Sequence, residues 1–132
     1  NACRWSEIRN FIKDKEDETK LIFSFKYAIE GIISTIKEER NMLIHFLIAI
    51  IVVITGIYVK LSLNEWLICL LLFALVFSLE LINTAIENTV DLVTTKKNKK
   101  AKIAKDAAAG AVLIASIFAS IIGIIIFLPK LI

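Results

Sequence analysis

Ser78-Leu79-Glu80-Leu81-Ile82-Asn83-Thr84-Ala85-Ile86-Glu87-Asn88-Thr89-Val90-Asp91 begins inside a strongly apolar run, yet it carries three carboxylates and two amides. On a helix, residues three, four and seven apart share a face. Glu80, Asn83, Thr84, Glu87 and Asp91 are spaced in that way and form one polar stripe. Leu81, Ile82, Ala85, Ile86 and Val90 fall on the opposite side. At about 1.5 Å per residue, Glu80 and Asp91 lie roughly 16 Å apart along the axis. A carboxylate at membrane depth is costly and therefore points to function. Two such acids one above the other, with an amide between them, suit a hard cation and also offer a general base.

The composition supports a membrane setting. The 132 residues suit one compact domain. The hydrophobic fraction is 58%, against roughly 45–50% apolar residues in ordinary soluble chains. Mean hydropathy is +0.76. The net charge of +3 is small, so the placement of the charges informs more than their sum. One Pro and four Gly leave few helix breakers. Cys3, near the terminus, and Cys69, in an apolar run, read as free thiols rather than as a disulfide framework. The chain does not begin with Met, and Asn1 to Ser6 are read as added or processed residues that carry no weight.

Outward from the polar stripe, the apolar run reaches back to Trp66, which predicts a span over about 66–88. Met42 to Val59 holds no charged residue other than His45 when protonated, and its 18 residues cover roughly 27 Å as a helix, enough for the hydrocarbon core. Tyr58 and Trp66 flank the short Lys60–Glu65 connection as interfacial anchors. A third run, Ala107 to Leu128, is interrupted only by Ser and Gly and predicts a span over 107–128; its small residues allow close helix approach. Before the first span, Ile22, Phe25, Ile29, Ile32, Ile33 and Ile36 follow helical spacing, with polar residues largely off that stripe. This predicts an amphipathic helix over about 20–40, too polar to span and suited to the interface plane. Residues 1–20 are charge-rich and read as a solvated, partly disordered arm. The expected fold is an all-α integral membrane protein, with three transmembrane helices and an N-terminal amphipathic interfacial helix in a domain of residues 21–132. No alternating strand pattern suggests a barrel.

Eight of the sixteen Lys and Arg lie in residues 1–41 and six between Lys96 and Lys105, against one in the first loop. Basic loops stay cytoplasmic, which puts the N-terminus and second loop inside and the C-terminus outside. Three clusters are then expected at the cytoplasmic boundary: Glu80/Asn83/Glu87/Asp91, Glu38-Glu39-Arg40-Asn41, and Lys105-Asp106. Carboxylates from two elements can hold Mg²⁺ against phosphate oxygens, Lys105 can neutralise phosphate charge, and Glu80 can take a proton from a lipid hydroxyl. Simpler readings compete. Asp91 and Asp106 are ordinary helix-end residues, Asp106 as an N-cap; His45 is an interfacial or packing residue; the Lys96–Lys102 run is a topology signal that also attracts anionic lipid. There is no Walker-type or Gly-x-Gly-x-x-Gly loop and no zinc spacing.

Glu80-Leu-Ile-Asn83-Thr-Ala-Ile-Glu87-Asn-Thr-Val-Asp91, followed by Ala104-Lys105-Asp106-Ala-Ala-Ala-Gly110, resembles the prokaryotic diacylglycerol kinase family of small integral-membrane lipid kinases. Phe25-Lys-Tyr27-Ala-Ile-Glu-Gly31 and Glu39-Arg-Asn41-Met-Leu-Ile-His45 extend the likeness from about Phe25 to the C-terminus. The resemblance implies a homotrimer with active sites shared between subunits, in the plasma membrane of a bacterium, and a Mg-ATP phosphate donor. It implies Glu80 as general base, Asn83 orienting the reacting groups, and Glu39 with Glu87 as the metal pair. Asp91, Lys105 and Asp106 would contact or support the nucleotide, and Tyr27 and Gly31 match positions near it. The Glu-Arg-Asn-x-x-Ile-His form resembles the Gram-positive branch, whose preferred acceptor is undecaprenol, phosphorylated to recycle the carrier lipid of cell-wall synthesis. Diacylglycerol, giving phosphatidic acid, is the alternative acceptor; nucleic acid is not an expected partner.

Two readings from other classes stand beside this one. A cation-binding or transport oligomer would line its path with Glu80 and Glu87, but needs polar residues continuing across the bilayer, and Trp66 to Phe77 offers none on the Glu80 face. A structural adaptor using the basic loop leaves Glu80 and Asn83 unexplained.

Overall fold

A computed structural model describes residues 2–132. The chain is all helical, with α1 (Ala2–Glu38), α2 (Arg40–Val59), α3 (Leu63–Val93) and α4 (Lys99–Leu131). It divides into two compact units, residues 1–34 and 35–132.

The first unit is helix alone. Where the sequence suggests a loose arm followed by a helix starting near residue 20, α1 is continuous from Ala2. No Pro or Gly interrupts it before Gly31, and its Lys, Glu, Arg and Ala content favours helix. Local contacts add to this: Lys15 lies over the Phe11 ring, 5.2 Å from its centroid, and Phe23 stacks on Tyr27. No residue of α1 is buried, so its apolar stripe, including Ile22, Phe25 and Ile29, is open.

The second unit contains three helices long and apolar enough to cross a membrane, α2, α3 and α4. Helix bounds are wider than the hydropathy runs because the ends are set by caps. Glu39 is a single extended residue that breaks the helix before α2. After α2, Lys60 adopts a left-handed conformation with φ 56°, and its N–H bonds back to the Gly56 and Ile57 carbonyls. The Leu61 N–H also bonds to the Gly56 carbonyl. Ser62 then opens α3 with a reciprocal capping box: its hydroxyl accepts from the Glu65 N–H while the Glu65 carboxylate accepts from the Ser62 N–H. This ends the connection earlier than hydropathy suggests.

Asn98 caps α4, its side chain accepting from the Lys100 and Ala101 N–H groups. Asp106, expected as an N-cap, therefore stands inside α4 and pairs with Lys102 one turn before it. Lys99 to Lys105 is helical despite its charge, because Lys and Ala are good helix formers.

The 31 residues of α3 extend about 46 Å, well beyond the roughly 30 Å hydrocarbon core. The apolar part supplies the span and the polar stretch quoted above supplies the extension. α3 packs along α4 more extensively than either packs on α2.

Candidate active site

The first part of the polar stripe of α3, Glu80 to Thr84, is turned into the protein, while Asp91 at its end is exposed. Glu80 is 2% exposed, Asn83 6% and Thr84 7%. On the other side of the helix Ile82 is exposed. This inverts the pattern of a water-soluble helix and is what lipid requires: apolar side chains outward, polar groups among the other helices.

Glu80 has a partner that the sequence reading did not assign. His45, on α2, places Nε2 3.8 Å from Glu80 Oε2. The imidazole is 21% exposed and the carboxylate 3%, so the pair sits at the edge of the interior. A signal was present: His45 is the one residue between Arg40 and Lys60 that can carry charge near neutral pH. Isolation of that kind also marked Glu80.

One turn from Glu80, the Asn83 Nδ2 group donates to Glu87 Oε1 at 3.4 Å. That bond fixes the amide with its carbonyl free. Asn83 Oδ1 and Thr84 Oγ1 are buried and have no hydrogen-bond partner among the described residues. A buried acceptor left without a donor costs about 1–3 kcal/mol. The stretch therefore carries polar capacity that the fold itself does not use. Farther along α3, Asp91 receives the Lys105 ammonium from α4. This tie brings the Lys105 charge to the same polar edge as Glu87.

Among the predicted site residues, Glu80, Asn83, Glu87 and Asp91 lie on one helix, with Lys105 against Asp91. Glu39 occupies the break before α2. Asp106 does not join them: its carboxylate is exposed and held by Lys102 within α4. Tyr27 and Gly31 belong to α1 in the first unit, where Tyr27 stacks on Phe23. Among the described residues, no group of three or more His, Cys, Asp and Glu side chains converges as a complete metal cage.

What this arrangement can do is limited and specific. A buried carboxylate beside an imidazole can accept a proton. An amide and a second carboxylate a turn away can orient oxygen ligands. A lysine farther out can meet negative charge. Phosphoryl transfer asks for that kit, since it depends on positioning and charge stabilisation more than on covalent chemistry.

Comparison with known proteins agrees. A family model described as prokaryotic diacylglycerol kinase matches residues 26–127. The undecaprenol kinase of Bacillus subtilis is 52% identical over 120 residues, 90% of this chain and 98% of that protein. A diacylglycerol kinase of Synechocystis is 40% identical over 112 residues, 84% of this chain and 64% of that protein. The diacylglycerol kinase of Haemophilus influenzae is 31% identical over 111 residues, 83% of this chain and 94% of its own.

Proposed function

The chain belongs to the prokaryotic diacylglycerol kinase family, and from that premise we propose that it transfers the γ-phosphate of ATP to the hydroxyl of undecaprenol, giving undecaprenyl phosphate. It is a multi-pass membrane lipid kinase, and its family uses ATP. The choice of undecaprenol is supported by the 52% identity to the Bacillus subtilis enzyme across nearly the whole of both chains. The observation that carries the site is the inward polar stripe of α3, headed by the buried Glu80.

In this reading Glu80 is the general base. It stands where the apolar span gives way to the polar extension, the level at which a membrane alcohol presents its hydroxyl. Accepting that proton as the oxygen attacks the γ-phosphorus leaves the phosphate on the lipid and ADP as the leaving product. Asn83, bonded to Glu87 through its amide nitrogen, offers Oδ1 to orient the reacting groups. Lys105 meets nucleotide phosphate, with Asp91 holding its ammonium in place. Tyr27, Gly31 and Asp106 are assigned to the nucleotide side by family resemblance.

Mg²⁺ fits the donor set. It is held by one or two carboxylates together with substrate phosphates rather than by a full protein cage. Glu39 and Glu87 would be those carboxylates, and the unpartnered Asn83 Oδ1, one turn from Glu87 on α3, is a further hard oxygen donor. When bound, the ion neutralises charge on the phosphate oxygens. The basic segments 1–41 and 96–105 support a site at the cytoplasmic face, where ATP is present. A single protomer of three spans has little room for both ATP and a lipid, which favours a homotrimer with shared sites.

The test offers undecaprenol and diacylglycerol separately in mixed micelles with labelled Mg-ATP. Higher kcat/KM for undecaprenol is expected. A preference for diacylglycerol would move the acceptor assignment, and no transfer to either would end the kinase reading.

A further inference from the structure

A general base that works at every turnover has a proton to dispose of. With Glu80 as the base, the proton taken from the lipid hydroxyl must leave before the next cycle. The Glu80 carboxylate is 3% exposed, and Leu79 and Leu81 flank it in the chain, so water does not collect that proton directly. The polar groups that follow on α3 do not serve. Asn83 and Thr84, three and four residues on, carry an amide and a hydroxyl, neither of which is a base near neutral pH. Glu87 is seven residues on, about 10 Å along the axis, and its carboxylate is engaged by the Asn83 amide.

His45 meets the requirement. Its Nε2 stands 3.8 Å from Glu80 Oε2, longer than the roughly 2.7–3.2 Å of a hydrogen bond. The two are therefore not a closed pair that locks the carboxylate. Oε2 stays open to a hydroxyl and remains within reach of the imidazole by a small closure or through one water. The His45 side chain is 21% exposed. It lies five residues from Arg40, the first residue of α2, about 7.5 Å along the axis, and the exposed Asn41 is one turn before it. The imidazole thus links a buried carboxylate to the polar start of α2. Among the described residues, Glu80 is the charged group that faces it from α3, with Cys69 about 16 Å away along that helix. From α4, Ser116 and Ser120 line the same crevice and nothing titratable does. On α2 itself no other residue between Arg40 and Lys60 carries charge near neutral pH.

Resting on the assignment of Glu80 as the base, we infer that His45 resets it: the imidazole takes the proton from Glu80 and passes it to water. As the lipid oxygen attacks, its bond to the γ-phosphorus forms. The bond from that phosphorus to the ADP oxygen breaks, its electron pair leaving on ADP, and the hydroxyl proton moves to Glu80 Oε2. That proton then moves to Nε2 of an imidazole that is neutral and protonated at Nδ1. Glu80 is a carboxylate again, and the imidazolium releases the proton from Nε2 to water at its exposed side. His45 acts through Glu80 rather than on the substrates.

The experiment measures transfer from Mg-ATP to undecaprenol by the full-length protein in mixed micelles. His45→Gln keeps a hydrogen-bonding side chain of similar size that cannot carry the proton, and His45→Ala opens space for an added base. Both are expected to lower kcat about 10²-fold, the lower end of what a positioned proton-transfer group contributes, with KM for ATP and for undecaprenol little changed. Imidazole added to His45→Ala is expected to restore kcat in a saturable way. Pyrazole, of the same size and far less basic, is expected to leave it low. Neither additive is expected to act on Glu80→Gln. Where His45→Ala does not fold, the division of the His45→Gln effect between kcat and KM decides the question.

His45→Gln as active as the parent overturns the inference, as does restoration of His45→Ala by both additives equally or by neither. A rise in KM with kcat retained also overturns it, because His45 would then be a binding or packing residue. If Glu80→Gln is itself active, the assignment of the base has failed and the inference falls with it, by a result separate from that of any His45 variant.

Discussion

At the α2–α3 turn the polar groups are matched within the chain, whereas about 26 Å along α3 they are buried and left open. In the turn, the Lys60 and Leu61 N–H groups bond to carbonyls at the end of α2. Ser62 and Glu65 cap each other, and Glu65 also holds Lys130 at 3.1 Å, tying the start of α3 to the end of α4. Gly56 packs so tightly that a Cβ there would lie 2.8 Å from the Trp66 ring. At the other region, Asn83 Oδ1 and Thr84 Oγ1 are enclosed without partners among the described residues, and Glu80 faces an imidazole at 3.8 Å. One region holds the helices together. The other stores binding capacity at a cost to stability, as active sites commonly do.

The contrast can be broken most severely at the open region. Removing divalent cation with a chelator should abolish phosphoryl transfer, and excess Mg²⁺ should restore it; full activity in the chelator would remove Glu39 and Glu87 from a metal role. Asn83→Leu separates the two uses of a buried amide. Transfer should drop about 10²-fold through loss of a positioning group. Thermal stability in detergent should stay level or rise by about 1 kcal/mol, since an unsatisfied acceptor is removed. A loss of stability proportional to the loss of activity would make Asn83 structural. The turn should respond the other way. Gly56→Ala should cost about 1–3 kcal/mol by overpacking against Trp66, with activity per folded molecule retained. Ser62→Ala should cost about 1 kcal/mol through loss of the cap, read from the same melting curves.

The two regions also differ in how far they could be read from residues alone. The spans follow from the apolar runs, and the polar stripe follows from the period of α3, so both were legible. Helix ends were less so. The capping box at Ser62 and the Asn98 cap lie in charged or polar stretches that hydropathy reads as loop, which is why Asp106 was expected to cap a helix that starts at Lys99. The continuity of α1 is hidden in the sequence because charge density suggests solvation, while helix formation there depends on the absence of breakers. His45 was legible only as an isolated ionisable residue. Its place beside Glu80 depends on the packing of α2 against α3, which no spacing within one helix encodes.

The central claim is that the buried carboxylate of Glu80 performs the chemistry. Glu80→Gln keeps the size and hydrogen-bonding capacity of the side chain and removes its basicity. Phosphoryl transfer from Mg-ATP to undecaprenol by the folded variant should fall about 10²–10⁴-fold, the contribution of a general base, with KM for ATP little changed. Activity within a few-fold of the parent would contradict the claim and leave the polar stripe of α3 without its proposed purpose.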